Sequence, residues 1–143
     1  MMKRFYMMAA LALLCFVTAG CPEKPEEKTI DIKGEWQLSQ ITTKASIGGQ
    51  TVNVYIAFLE GGNFELYQQL GEGRYRHYTG SWTLNENTLS GTYSGGAAWA
   101  TSYTVEIDDA ATQLVLTAAD GSEVHTYRKQ AIPADVTANA LEP

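Results

Sequence analysis

The chain has 143 residues, with 10 basic against 16 acidic side chains and a formal net charge of −6. An acidic surface without a basic stripe repels phosphate backbones, which argues against nucleic-acid binding. Its two cysteines, Cys15 and Cys21, both lie near the amino terminus, so the rest of the chain offers no disulfide, zinc-thiolate site or cysteine nucleophile.

Residues 1–20 have the layout of a secretory signal: the basic pair Lys3 and Arg4, an apolar run from Phe5 to Ala19, then small residues. The run is short of the roughly 20 residues that a helix needs to cross a bilayer. Thr18-Ala19-Gly20-Cys21 resembles a bacterial lipobox. That resemblance implies cleavage before Cys21, acylation of its sulfur and new amino terminus with palmitate-type chains, and a lipid-anchored protein of the cell envelope, in the outer membrane and facing the periplasm or the outside. Two acyl chains already anchor a protein stably. The alternative is a plain signal cut near Ala19, with Cys21 a bystander. Without residues 1–20 the chain keeps 8 basic and 16 acidic residues, a net charge of −8, so membrane attachment rests on the lipid alone. The remaining length suits one domain, large enough to bury about two-thirds of its unfolded surface.

Residues 21–31, rich in Pro and charge, read as an extended tether. From Ile32 short apolar runs alternate with Gly, Asn and Asp clusters, the pattern of an all-β domain. Turn signals at 46–50, 60–62, 71–73, 85–87, 94–97, 108–112 and 119–122 predict strands near 32–42, 51–59, 63–70, 74–84, 88–93, 98–107, 113–118 and 123–129, followed by a tail over 130–143. The connections are too short for parallel crossovers, so neighbouring strands pair antiparallel in chain order. Closing this eight-stranded up-and-down meander into a barrel removes both edges and leaves room for side chains or one small ligand. A two-sheet sandwich is the competing architecture.

Alternation assigns the faces. The inward set is Trp36 and Leu38; Val54, Ile56 and Phe58; Phe64 and Leu66; Tyr78, Trp82 and Leu84; Leu89 and Tyr93; Trp99, Thr101, Tyr103, Val105 and Ile107; Leu114 and Leu116. In the eighth strand, Val124, Thr126 and Arg128 are assigned inward and Glu123, His125 and Tyr127 outward.

At the first strand, Gly34-Glu35-Trp36 matches the Gly-x-Trp signature that precedes the lipocalin meander, and the domain over 32–129 resembles a lipocalin-like barrel. The resemblance implies that Trp36 closes the barrel floor under an Arg from the last strand, a role assigned to Arg128, with a cation–π stack worth roughly 0.5–2 kcal/mol. Thr101-Ser102-Tyr103 is similar to the family's Thr-Asp-Tyr motif, with a different middle residue. The chain is shorter than typical lipocalins, lacks their disulfide, and leaves room for at most a turn or two of helix after the barrel.

Catalysis has little to draw on. His77 and His125 are expected on the surface, and neither sits in a triad or metal-ligand pattern. Asp108 and Asp109 fall at a turn, where carboxylates cap backbone amides. The glycine pairs lie between strands and serve turns. No enzyme activity, metal or cofactor is therefore expected.

Binding has more. The end of the meander bearing the first turn would be the open mouth, facing away from the tether. Gln40, Gln68, Arg76, Tyr78, Tyr93, Trp99 and Tyr103 fall on inward positions in that half, an amphipathic set suited to a small amphipathic ligand. Arg76 would orient an anionic head group. This carrier reading requires a cavity of roughly 300 Å³ or more; the competing reading is a filled interior, with Arg76 reaching out of the mouth. In that case Tyr55, Tyr67 and Tyr75, on the outward face of adjacent strands, would form an exposed strip for glycans or a protein partner.

Overall fold

Residues with alternating apolar and polar character form eight strands in the computed structural model, which describes residues 29–43 and 51–143. These are β1 (Gly34–Thr43), β2 (Val52–Phe58), β3 (Asn63–Leu70), β4 (Arg76–Asn85), β5 (Thr88–Tyr93), β6 (Tyr103–Ile107), β7 (Gln113–Ala118) and β8 (Glu123–Lys129), followed by a short helix, α1 (Ala134–Asn139). Each strand pairs antiparallel with its neighbour in sequence, and β8 pairs with β1 to close the barrel. The sandwich is thereby excluded. The signal, Cys21, most of the tether and the first turn lie outside the described residues.

The floor is built from large apolar side chains. Ile32, Trp36, Phe58, Phe64, Leu89 and Leu114 are completely or almost completely buried, and Ile30 and Trp82 pack against them. Thus Ile30, expected in the tether, packs against the core, while Asp31 beside it is exposed. The Trp36 indole donates from Nε1 to the Ile32 carbonyl at 2.9 Å, which satisfies its one buried donor.

The cation over Trp36 is Lys129, not Arg128. Its Nζ lies 4.4 Å from the ring centroid and donates to the Lys33 carbonyl at 3.0 Å. Arg128 faces outward, where its Nε and Nη2 donate to Gln37 Oε1 at 2.9 and 2.6 Å. The cause is the register of β8: inward Leu38 opposes Tyr127, so Tyr127 is buried and Thr126 and Arg128 point away. Burying the phenol ring removes more apolar surface from water than burying Val124 would, and one step of register decides the whole strand. Gly34 explains its place in the Gly-x-Trp pattern: its φ of 124° disfavours other residues, and a Cβ there would collide with the Lys129 side chain.

Two strands depart from strict alternation. In β1 the register shifts between Leu38 and Gln40, a bulge that turns Gln40 outward and Ile41 inward opposite His125. The expected sixth strand is split. Trp99 N–H donates to the Gly91 carbonyl and Tyr93 N–H to the Ala97 carbonyl, so residues 97–99 extend the β5 ladder, while β6 begins only at Tyr103. A Cβ on Gly91 would strike the Trp99 ring, so the glycine makes room for the indole to lie against the backbone.

The tail over 130–143 is a strap on the outer wall. Val136 of α1 is buried against Tyr55 and Tyr67, with Ile132, Ala140 and Tyr75 beside them. The strap ends on β4, where His77 N–H donates to the Leu141 carbonyl and Leu141 N–H to the Tyr75 carbonyl, each at 2.8 Å.

Candidate functional site

Above the filled floor the barrel holds a cavity of about 230 Å³. One side of its wall is aliphatic: Leu38 and Ile41 from β1, Val52, Val54 and Ile56 from β2, Leu66 from β3, and Leu116 from β7. The other side is aromatic and polar, with Tyr93, Trp99, Tyr103, His125 and Tyr127, while Gln68, opposite Val54, adds an amide to the aliphatic side. Alternation on the strands, with the β1 bulge for Ile41 and the segment beside β5 for Trp99, brings these side chains to the interior from elements far apart in sequence. The rings are held against one another: Trp99 meets Phe64 at 5.1 Å and Tyr103 at 6.2 Å between centroids, and Tyr103 lies 5.6 Å from His125.

Four of the seven residues expected at the site are brought together here: Gln68, Tyr93, Trp99 and Tyr103. The other three are not in the wall. Gln40 is turned out by the β1 bulge, where its amide lies 3.4 Å from the Thr42 hydroxyl. Tyr78 faces inward beside Tyr93, at 5.9 Å between centroids, but outside the cavity. Arg76 opposes Gln68 at the end of β4 and is exposed, so its guanidinium stands at the rim.

His125 and Tyr127 are wall residues that the sequence reading placed outside. Each would have been found by pairing the two terminal strands, because the inward Leu38 sets the face of β8. His125 Nε2 sits 3.0 Å from Glu123 Oε2, and its side chain is only 17% exposed. His77 is not a free surface histidine either. It lies on the outer wall, stacked on Tyr67 at 4.5 Å with the rings 9° apart, and its Nδ1 is 3.2 Å from Glu142 of the strap.

The phenols of the wall stay protonated at neutral pH. Burial, then the neighbouring Tyr103 and Tyr93, pushes Tyr127 far above the ordinary tyrosine value. Burial, followed by Glu123 and Tyr93, raises Tyr103, and burial with Tyr78 raises Tyr93. They act in the cavity as neutral hydroxyls.

Elsewhere the chemistry is structural. Asp108 caps the β6–β7 turn, accepting from Thr112 N–H at 2.7 Å, Thr112 Oγ1 at 2.6 Å and Gln113 N–H at 2.9 Å. These bonds, led by that from the Thr112 hydroxyl, hold its carboxyl below the ordinary value of 3.8. No group of three or more His, Cys, Asp or Glu residues suited to a metal occurs among the described residues. Among them, too, no helix is long and apolar enough to cross a membrane.

The outer tyrosine strip is closed over. Tyr55 and Tyr67 are 8% and 5% exposed beneath Val136, so they are not available as an open contact surface. At about 230 Å³ the cavity does not reach the roughly 300 Å³ that the carrier reading required, so that expectation is corrected: only a ligand smaller than drug size fits wholly inside.

Comparison with known proteins agrees with this architecture. No curated protein matches the chain. A crystal structure of an uncharacterized protein from Bacteroides eggerthii is similar at 19% identity and a TM-score of 0.53, over 70% of this chain and 100% of that one. A mutant of the fluorescent protein UnaG is similar at 18% identity and a TM-score of 0.39, over 70% and 96%. The family model for a lipocalin-like domain matches residues 32–116, from the buried Ile32 to the cavity residue Leu116, and the chain belongs to that family.

Proposed function

We propose that this protein is a lipid-anchored envelope lipoprotein whose barrel binds a small amphipathic ligand without covalent chemistry. The observation that carries the reading is the contrast in filling: the floor is packed solid, while the other half keeps an amphipathic cavity of about 230 Å³. Cores pack to high density, and residues such as Leu would fill this space with less polar surface to satisfy. The described end of the tether, from Thr29 onward, lies at the floor beside the β2–β3 turn. A chain anchored through Cys21 would then present its mouth away from the lipid. Non-enzymatic binding accords with a wall that has no nucleophile–base pair and with histidines engaged by Glu123 and Glu142.

Native mass spectrometry of the domain purified from its own host tests the binding reading. An added mass of a few hundred daltons or less, lost on mild activation, is expected; a bare chain that also fails to quench Trp fluorescence with any small amphiphile would reject it. The anchor is tested separately. Cys21→Ala protein should leave the membrane fraction and take up no labelled palmitate; retention of both would defeat the lipobox reading.

A further inference from the structure

Resting on that binding reading, the geometry points to a neutral carbonyl compound as the ligand class, its oxygen held inside the barrel by the hydroxyls of Tyr93, Tyr103 and Tyr127 and its apolar body along the aliphatic wall. Three observations carry this. First, the three phenols stand on different strands, or β5, β6 and β8, yet line one cavity. Tyr127 is only 5% exposed, and none of the three hydroxyls forms a hydrogen bond among the described residues. The one fully buried side-chain nitrogen or oxygen without a partner among the described residues is His77 Nε2, so the three hydroxyls stay open to the cavity, where an acceptor oxygen supplied by a ligand can take the donors that water would otherwise take.

Second, the cavity wall contains no Lys, Arg, Asp or Glu among the described residues. Its one basic side chain, His125, already has the Glu123 carboxylate 3.0 Å away, so that pair adds no net positive charge for an anion. A carboxylate taken to this depth would lose its hydration without an uncommitted cation to replace it. A ketone, ester or amide carbonyl keeps its acceptor capacity and has no charge to desolvate. Arg76, the cation expected to orient an anionic group, stands exposed at the rim and outside the cavity.

Third, Ile41, Val52, Val54, Ile56 and Leu66 line the cavity with aliphatic side chains, interrupted by the Gln68 amide on β3 opposite Val54. A ligand with one acceptor and a compact hydrocarbon remainder matches both sides, and the volume limits it to about ten to fifteen non-hydrogen atoms, below drug size.

Three probes of nearly equal size separate the alternatives: 4-phenyl-2-butanone, n-butylbenzene and 3-phenylpropanoate, titrated at pH 7 into the intact domain and followed by Trp fluorescence and calorimetry. The ketone is expected to bind about tenfold or more tighter than the other two. In the variant carrying Tyr93→Phe, Tyr103→Phe and Tyr127→Phe, the ketone should lose that advantage while n-butylbenzene binds at least as well as before, which also shows that the barrel is folded. Arg76→Ala should leave ketone binding unchanged. Equal affinities for ketone and hydrocarbon, or tightest binding by 3-phenylpropanoate with loss in Arg76→Ala, would overturn the carbonyl assignment while preserving a ligand-binding barrel. Failure of all three probes to bind would remove both readings.

Discussion

The two halves of this barrel share one set of strands and differ in what those strands deliver to the inside. At the floor, Trp36, Phe58, Phe64, Leu89 and Leu114 fill the interior and are sealed by Ile32 and the Lys129 side chain. Toward the mouth, the same alternation supplies Gln68, Tyr93, Trp99, Tyr103 and His125, and a cavity remains. Stability is concentrated where large apolar groups meet, while the half that keeps polar tips at inward positions is the one proposed to bind a ligand. A substitution should therefore unfold the protein in one half and alter binding in the other.

The sharpest way to break that contrast is at the floor. Trp36→Ala should cost about 3–5 kcal/mol, as for other buried aromatics, because it removes a fully buried indole and leaves a hole between Ile32 and Lys129. Chemical denaturation measures it, and a midpoint unchanged from the parent would show that the floor is not the stabilising half. Gly91→Ala should come next, at about 1–3 kcal/mol, because the new methyl displaces the Trp99 ring. It strikes the boundary between the halves, so it should both lower the melting temperature and shift Trp emission to the red.

Smaller effects sharpen the assignment of cations. Lys129→Ala should lose about 0.5–2 kcal/mol through its contact with Trp36, whereas Arg128→Ala on the outer face should stay within about 0.5 kcal/mol. A reversed order would restore the arginine to the floor. The smallest effect is that of Asp108→Asn. Because the folded carboxyl titrates below its unfolded counterpart, its contribution is complete above about pH 4 and is lost as pH falls through the depressed value. The variant should melt slightly earlier than the parent at pH 7, and the two curves should converge in acid.

The strand pattern was legible because each run of alternating residues ends in turn chemistry that acts locally. Asn85-Glu86-Asn87-Thr88 forms the expected tight hairpin, with Glu86 at a φ of 56°. What could not be read depended on partners distant in sequence. The face of β8 follows from Leu38, about ninety residues earlier, and its own residues are amphipathic enough to permit either face. The bulge in β1 depends on that same pairing, and with it Gln40 leaves the site and Ile41 enters. Tyr55 and Tyr67 gave the signal of an exposed aromatic strip because their cover, Val136, comes from a tail whose docking no local pattern announces. The same tertiary dependence accounts for the cavity: four of the expected wall residues were identifiable by parity, while His125 and Tyr127 required the barrel's closure.

The strap also has a bearing on how copies of this protein behave toward one another. β5 ends its ladder with β4 at the pair Gly80 and Tyr93, so the backbone of β4 from Tyr75 to Tyr78 has no strand beside it on that side. Leu141 occupies that stretch, taking the His77 amide and the Tyr75 carbonyl. An uncovered strand edge is a template on which another chain can add, and the closed ladder elsewhere leaves few such openings. A molecule shortened before Ile132 would present this unpaired backbone together with the faces of Tyr55 and Tyr67, and would self-associate as its concentration rises. In the folded chain the strap therefore covers both the β4 edge and the rings of Tyr55 and Tyr67 that such a truncation would open.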